Sequence, residues 1–176
     1  MIDIQEAFRG RIDTFEEIAS RAAFLIRVAR LLDIPIAACE QNPDRLGPLT
    51  TDVAAALADI HPIAKMTFNA IATPAFAAAL DTRRDQALVI GIEAHVCVLQ
   101  TALNLLTTHR NVFVAIDATG SQRRPDAGAA IDRLVAAGAV PVTAESAAFE
   151  LVATAAAPEF RDVLALVKAE QQHDQR

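Results

Sequence analysis

The chain has no tryptophan and no tyrosine, and aromatic residues make up only 5% of it. Recognition of nucleic acid by base stacking needs aromatic faces, so that class of function lacks its tools. Basic surface is short as well. Sixteen Lys and Arg are outnumbered by 22 Asp and Glu, a net charge of −6, whereas a phosphate backbone calls for positive charge. No nucleic-acid partner is therefore expected. No apolar run approaches the ~20 residues of a membrane-spanning helix, so no membrane partner is expected either. No secretory signal is expected, because Asp3 and Glu6 stand where a basic segment and an apolar core would be. The two cysteines, Cys39 and Cys97, lie too far apart to read as a disulfide framework. A reducing, cytoplasmic setting is the simplest account, and it leaves a thiol free for chemistry. GxGxxG and GxxxxGK[ST] are both missing, and no cofactor is expected. The four histidines, His61, His95, His109 and His173, form no HExxH, and Asp59-Ile60-His61 has no second histidine near it. No metal site is expected.

What is present is an apolar, Ala-rich chain of 176 residues, 53% hydrophobic, enough for one domain over 1–176 with a substantial core. The most informative stretch is Ala87 to Leu106. A short apolar run, Ala87-Leu88-Val89-Ile90, has the length of a buried strand. Gly91 breaks it, and Val96, Val98, Leu99, Ala102, Leu105 and Leu106 return at helical spacing. The reading is strand, sharp turn, helix, with Cys97 in the first helical turn. Unpaired N–H groups and the helix dipole favour an anion there, so this thiol is expected to ionise more easily than a free one. A lone cysteine between Val96 and Val98 is usually just a small buried hydrophobe. In open α/β sheets ligands bind at the carboxyl ends of strands, where this turn lies.

Elsewhere strands and helices alternate. Met1 to Ile4 is a strand stub carrying the awkward Asp3. Thr14-Phe15-Glu16-Glu17 reads as a capping box before a long amphipathic helix with Phe15, Ile18, Ala22, Leu25, Val28 and Leu32 on one face. Ile34 to Cys39 is a strand, and residues 40–48 form a loop. Thr50 or Thr51 caps a short helix. Lys65 lies in an apolar strand end, and Pro74 starts a helix. Asn111 to Ile116 is a strand ended by Asp117, which is expected to accept backbone hydrogen bonds. Pro125 to Ala137 is a helix stopped by Gly138, and Val140-Pro141-Val142 an edge strand. Ser146–Ala153 and Glu159–Gln171 are closing helices, with a polar tail expected to fray after Lys168. This alternation is the signature of a parallel sheet covered by helices on both faces.

Asp3-Ile4-Gln5, Lys65 before Thr67-Phe68, and Gly91-Ile92-Glu93-Ala94-His95-Val96-Cys97-Val98-Leu99-Gln100-Thr101-Ala102 resemble the isochorismatase-like cysteine hydrolases. The similarity reaches the isochorismatase-domain-containing subgroup through Glu40-Gln41-Asn42-Pro43, Leu46-Gly47, Asp117-Ala118 with Ser121, and Glu145-Ser146. The resemblance implies a three-layer α/β/α, Rossmann-like fold with a six-stranded parallel sheet. It implies a triad of Asp3, Lys65 and Cys97, in which the thiol attacks an amide or related carbonyl and Asp3 takes and returns the proton. Lys65 would orient Asp3 and lower the pKa of both partners. It further implies a cis peptide at Ile92–Glu93, with the N–H groups of Glu93 and Cys97 aimed at a developing oxyanion. The metal site of nicotinamidases in this superfamily has no counterpart in Glu40-Gln41-Asn42-Pro43-Asp44, which lacks histidine. Phe8, Glu40, Gln41, Phe68 and His95 are candidate substrate contacts by position. The expected partners are a small-molecule substrate and further copies of the chain, as a dimer or tetramer. The rival reading is a catalytically quiet oligomeric scaffold of the same fold. Cys39 is a candidate redox partner only if its Cα lies within about 7 Å of that of Cys97.

Overall fold

The computed structural model describes residues 1–108 and 110–173, with the side chain of His173 outside the description. His109 and residues 174–176 of the polar tail therefore lie outside the described residues. The strands are β1 (Cys39–Gln41), β2 (Ile63–Lys65), β3 (Gln86–Ile92), β4 (Asn111–Gly120) and β5 (Val140–Val142). The helices are α1 (Phe15–Leu31), α2 (Pro43–Leu46), α3 (Thr51–Leu57), α4 (Pro74–Ala78), α5 (Leu99–Thr107), α6 (Arg124–Ala136), α7 (Ala144–Val152) and α8 (Phe160–His173). All strand pairs are parallel, which gives an α/β fold. Among the described residues no helix is long and apolar enough to cross a membrane.

The strands alternate between two apolar clusters, one on each face. Ile90 and Ile92 of β3 join the side chains of α1, α3, α7 and α8. Val89 of β3 and Val112 and Val114 of β4 join those of α5 and Leu134 of α6. This is the period-two alternation of a strand buried on both faces. The longest helix, α1, buries Phe15, Ile18, Ala22, Leu25 and Val28, the expected stripe.

A continuous six-stranded sheet does not form. Among the described residues β1 pairs with β2, and β3, β4 and β5 make a separate three-stranded ladder. Only Ile2 spans the space between them, bridging to Cys39 on one side and Gly91 on the other. The reason is local. Asp3 turns the chain out of line through a left-handed backbone, φ 52°, and Gln5 N–H bonds back to Asp3 C=O at 2.8 Å. One residue is then left to pair, Ile2, whose N–H reaches Ile90 C=O at 2.9 Å and whose C=O receives Ile92 N–H at 3.0 Å. Gly91 makes this approach possible: its φ is 137°, and a Cβ there would lie 2.0 Å from the carbonyl oxygen of Ile2. Beneath Ile2 opens an apolar cavity of about 350 Å³, bordered by Met1, Ile34, Ile36, Leu88 and Ile90. It does not touch Lys65 or Cys97.

Three other expectations need correction. Thr14 precedes α1 but makes no side-chain cap bond, because its ψ of 21° is not the extended geometry a capping hydroxyl needs. The Ile34–Cys39 segment pairs as a strand only from Cys39 on, since its neighbour at Ile2 is so short. Strand β4 does not stop at Ile116: the register jumps from Val89↔Val114 to Gly91↔Thr119, and the extra residues bulge before pairing resumes. Asp117, in that bulge, accepts the backbone N–H of Ala144 at the start of α7, at 2.8 and 3.1 Å. The cap at Thr50, whose hydroxyl accepts Val53 N–H, and the helix start at Pro74 follow the sequence reading.

Candidate active site

Strand ends from distant parts of the chain converge at one edge. Asp3 is presented by the turn after Ile2, Cys39 begins β1, Lys65 ends β2, and Cys97 sits in a single π-helical turn, Ala94–Val98, that leads from β3 into α5. All four are buried; Asp3 is 1% and Lys65 3% exposed. Two such charges persist inside a protein only when paired, and they are: Lys65 Nζ donates to Asp3 Oδ2 at 2.7 Å. The ammonium spends its other protons on Gln41 Oε1 at 2.7 Å and Thr67 C=O at 3.1 Å. That is its full complement of three donors.

The thiol of Cys97 packs in the same apolar cluster as Ile2 and Cys39 and feels both charges. The acidity expected from a helix start does not hold. Burial and then the Asp3 carboxylate push the Cys97 thiol up to about 12, and the opposing pull of Lys65 is weaker. Desolvation disfavours a thiolate wherever water is excluded, which outweighs a helix dipole. For Lys65 burial alone would lower the pKa, but Asp3, Cys39 and Cys97 more than offset it and hold the ammonium above its ordinary range. At neutral pH the resting site is therefore a neutral thiol beside a lysine-held carboxylate.

The cysteine turn is anchored. The Ile92–Glu93 peptide bond is cis. The Glu93 carboxylate accepts Gln122 N–H at 3.0 Å and Gln122 Nε2 at 3.1 Å, tying the turn to the segment after β4. His95 Nδ1 lies 3.0 Å from Ser121 Oγ and 4.0 Å from Glu93 Oε2.

The remaining candidates divide. Gln41 is at the site, but its amide is committed: its oxygen takes Lys65 and its nitrogen reaches Met66 C=O at 3.1 Å. Glu40 faces the loop, accepting Leu49 N–H at 2.8 Å. Phe8 ends a 3₁₀ turn and packs half-buried against the α1 side of the core. Phe68 is 53% exposed, next to Thr67 on the rim side of Lys65, and Met66 is exposed as well. His95 is half-buried near the cysteine turn. Two contributors escaped sequence reasoning. Gln5 is fully buried and clamps the loop, with Nε2 on Gly47 C=O at 2.7 Å and Oε1 taking Gln41 N–H at 2.8 Å. Cys39 donates its thiol to Asp3 Oδ1 at 3.2 Å. For Cys39 the signal was parity, since it lies two residues from Gln41 on β1. The Asp59-x-His61 pair is elsewhere, with Asp59 bonded to Arg30 at 2.8 Å.

Comparison with known proteins fits this geometry. Residues 1–146 match the isochorismatase domain. The chain is 38% identical over 170 residues to isochorismatase domain-containing protein 2A of Mus musculus, covering 96% of this chain and 81% of that one. Its fold is similar to the structure of MAR1 ribonuclease from Caenorhabditis elegans, with a TM-score of 0.89, 35% identity, and 94% and 86% of the two chains covered. It is also similar to YcaC from Pseudomonas aeruginosa with hexane-2,5-diol and covalent acrylamide, with a TM-score of 0.86, 25% identity, and 99% and 90% covered. A domain match over most of the chain and a relative at this identity leave one conclusion: the chain belongs to the isochorismatase family.

Proposed function

We propose that the protein is a cysteine hydrolase acting on a small amide or ester, with Cys97 as nucleophile, Asp3 as general base and acid, and Lys65 holding Asp3. The observation that carries this reading is the buried Asp3–Lys65 pair at 2.7 Å next to the Cys97 thiol. A buried ion pair adds little to stability compared with apolar packing, so its presence beside a thiol is better accounted for by chemistry. As Sγ attacks the carbonyl carbon, its proton passes to Asp3 and the carbonyl oxygen becomes an oxyanion. The N–H groups of Glu93 and Cys97 are the proposed donors to that oxygen. Collapse breaks the bond to the leaving group, which takes the proton from Asp3 and leaves a thioester on Cys97. Water then adds, giving its proton to Asp3, and the acid departs as the thiol is restored. A raised thiol pKa suits this scheme, because the proton leaves during attack and not before it. The acrylamide bound covalently to the Pseudomonas relative is an electrophile of the kind that thiols capture. The ribonuclease activity in the nematode protein's name is a poorer guide for this chain, given its net charge of −6 and lack of Trp and Tyr.

The second reading, a quiet oligomeric scaffold, is favoured by the same raised thiol and by the exposed apolar side chains Met66, Phe68, Phe149 and Leu151, which suit contacts between copies. An amide and ester panel assayed with wild type and Cys97→Ala separates the two. The hydrolase reading expects turnover of at least one compound to fall about 10³-fold or more in the variant, with the melting temperature little changed. Equal rates in both proteins would leave the scaffold reading standing.

A further inference from the structure

Resting on the cysteine-hydrolase reading, we propose that Cys39 is a positioning residue for Asp3: its thiol holds one carboxylate oxygen and so sets the aim of the base. Cys39 is fully buried at the start of β1, and its Sγ lies 3.2 Å from Asp3 Oδ1, while Lys65 occupies Oδ2. The two oxygens are thus held from two different strands. Asp3 sits on a turn with φ 52°, and two directional donors, one on each oxygen, fix the rotation of its carboxylate. Four groups face Asp3: Lys65 from β2, Cys39 from β1, Cys97 from the π turn, and the amino group of Met1. Burial raises the Cys39 thiol well above its ordinary value, and the Asp3 charge adds to this, so Cys39 keeps its proton at working pH and acts only as a donor. Without that donor Asp3 would be free to rotate away from Cys97.

The proton that moves in the reaction is that of Cys97; the proton of Cys39 stays where it is. Cys39 touches no reacting atom, so its loss should appear in kcat and not in KM. The test measures hydrolysis of p-nitrophenyl acetate from pH 4 to 9 by wild type, Cys39→Ala, Cys39→Ser and Cys97→Ala. Cys39→Ala is expected to lower kcat about tenfold and to leave KM within twofold. Cys39→Ser keeps a donor and should recover most of the loss. Thermal melts accompany each variant, and if the alanine protein fails to fold, Cys39→Val, which fills the space and has no donor, takes its place. A Cys39→Ala profile that superimposes on wild type, or a serine protein that folds but behaves as the alanine one, overturns the proposal. A Cys97→Ala protein as fast as wild type overturns the hydrolase reading itself, and the role of Cys39 with it.

Discussion

Among the described residues, one cluster of charge is buried and another is half-buried, and they are built on opposite plans. On the α1 side, Asp117 receives Ala144 N–H, Arg21 lies 4.0 Å from Asp117 and 3.5 Å from Glu170, and Ser20 donates to Glu170 at 2.8 Å. Those contacts join β4, α1, α7 and α8, and each carboxylate ends on a group that holds a helix in place. At the other cluster Asp3, Cys39, Lys65 and Cys97 come from strand ends and turns, and the ion pair there stands beside a thiol. Burial of charge does not by itself mark chemistry. What sets the second cluster apart is a carboxylate held at fixed aim beside a thiol.

The largest effect that could break this comparison is on stability. Lys65→Met strands the Asp3 carboxylate among apolar side chains, and removing one partner of a buried pair costs about 3–5 kcal/mol. Glu170→Gln keeps an acceptor for Ser20 and removes only a partly screened attraction to Arg21, for about 1 kcal/mol. Urea denaturation of both variants measures the contrast, with turnover within twofold of wild type for Glu170→Gln. If Lys65→Met proved no costlier than Glu170→Gln, the two clusters would not differ in kind.

Next in size is the pH dependence of stability. The Cys97 thiol sits at about 12 in the folded chain against an ordinary 9.0. Cys39 and Lys65 are raised as well. In each case the folded protein keeps a proton that the unfolded chain gives up sooner, so folding is favoured fully below about pH 9 and progressively less as pH climbs toward 12. The chain has no tyrosine to titrate in that window and only one other lysine, Lys168, which keeps the background low. Melting temperatures at pH 8, 9, 10 and 11 should fall, and the fall should be shallower in Cys97→Ala. A flat profile would mean that the thiol is not held neutral by burial.

Much of this arrangement is legible in the chain itself. The Gly91 break followed by 3.6-residue spacing announces the strand–turn–helix around Cys97, and Asp3 and Lys65 stand out because each is a charge in an apolar run. Three things are not legible, for physical reasons. The thiol's acidity depends on how completely water is excluded, which a helix-start rule ignores. The donor on Asp3 Oδ1 is a cysteine that, by sequence, is only a small hydrophobe closing a strand. The sheet splits because a single positive-φ residue leaves Ile2 alone to pair on both sides, a consequence of backbone geometry and not of hydrophobic pattern.

The smallest effect is also the one that separates proton affinity from reactivity. Asp3→Asn removes the charge that helps hold the Cys97 thiol up, while Lys65 remains to draw it down. The thiolate fraction at pH 7.5 should therefore rise, and alkylation of Cys97 by iodoacetamide, followed by peptide mass mapping, should speed up about tenfold, the equivalent of one pH unit. Under the proposed mechanism hydrolysis should move the opposite way, because the group proposed to take the proton during attack and return it to the leaving group is gone. Faster labelling with slower turnover has no simple explanation if Asp3 is a structural partner for Lys65 alone. In that case the variant would unfold or label at the wild-type rate, and the strand-end cluster would join the helix-side one as scaffolding.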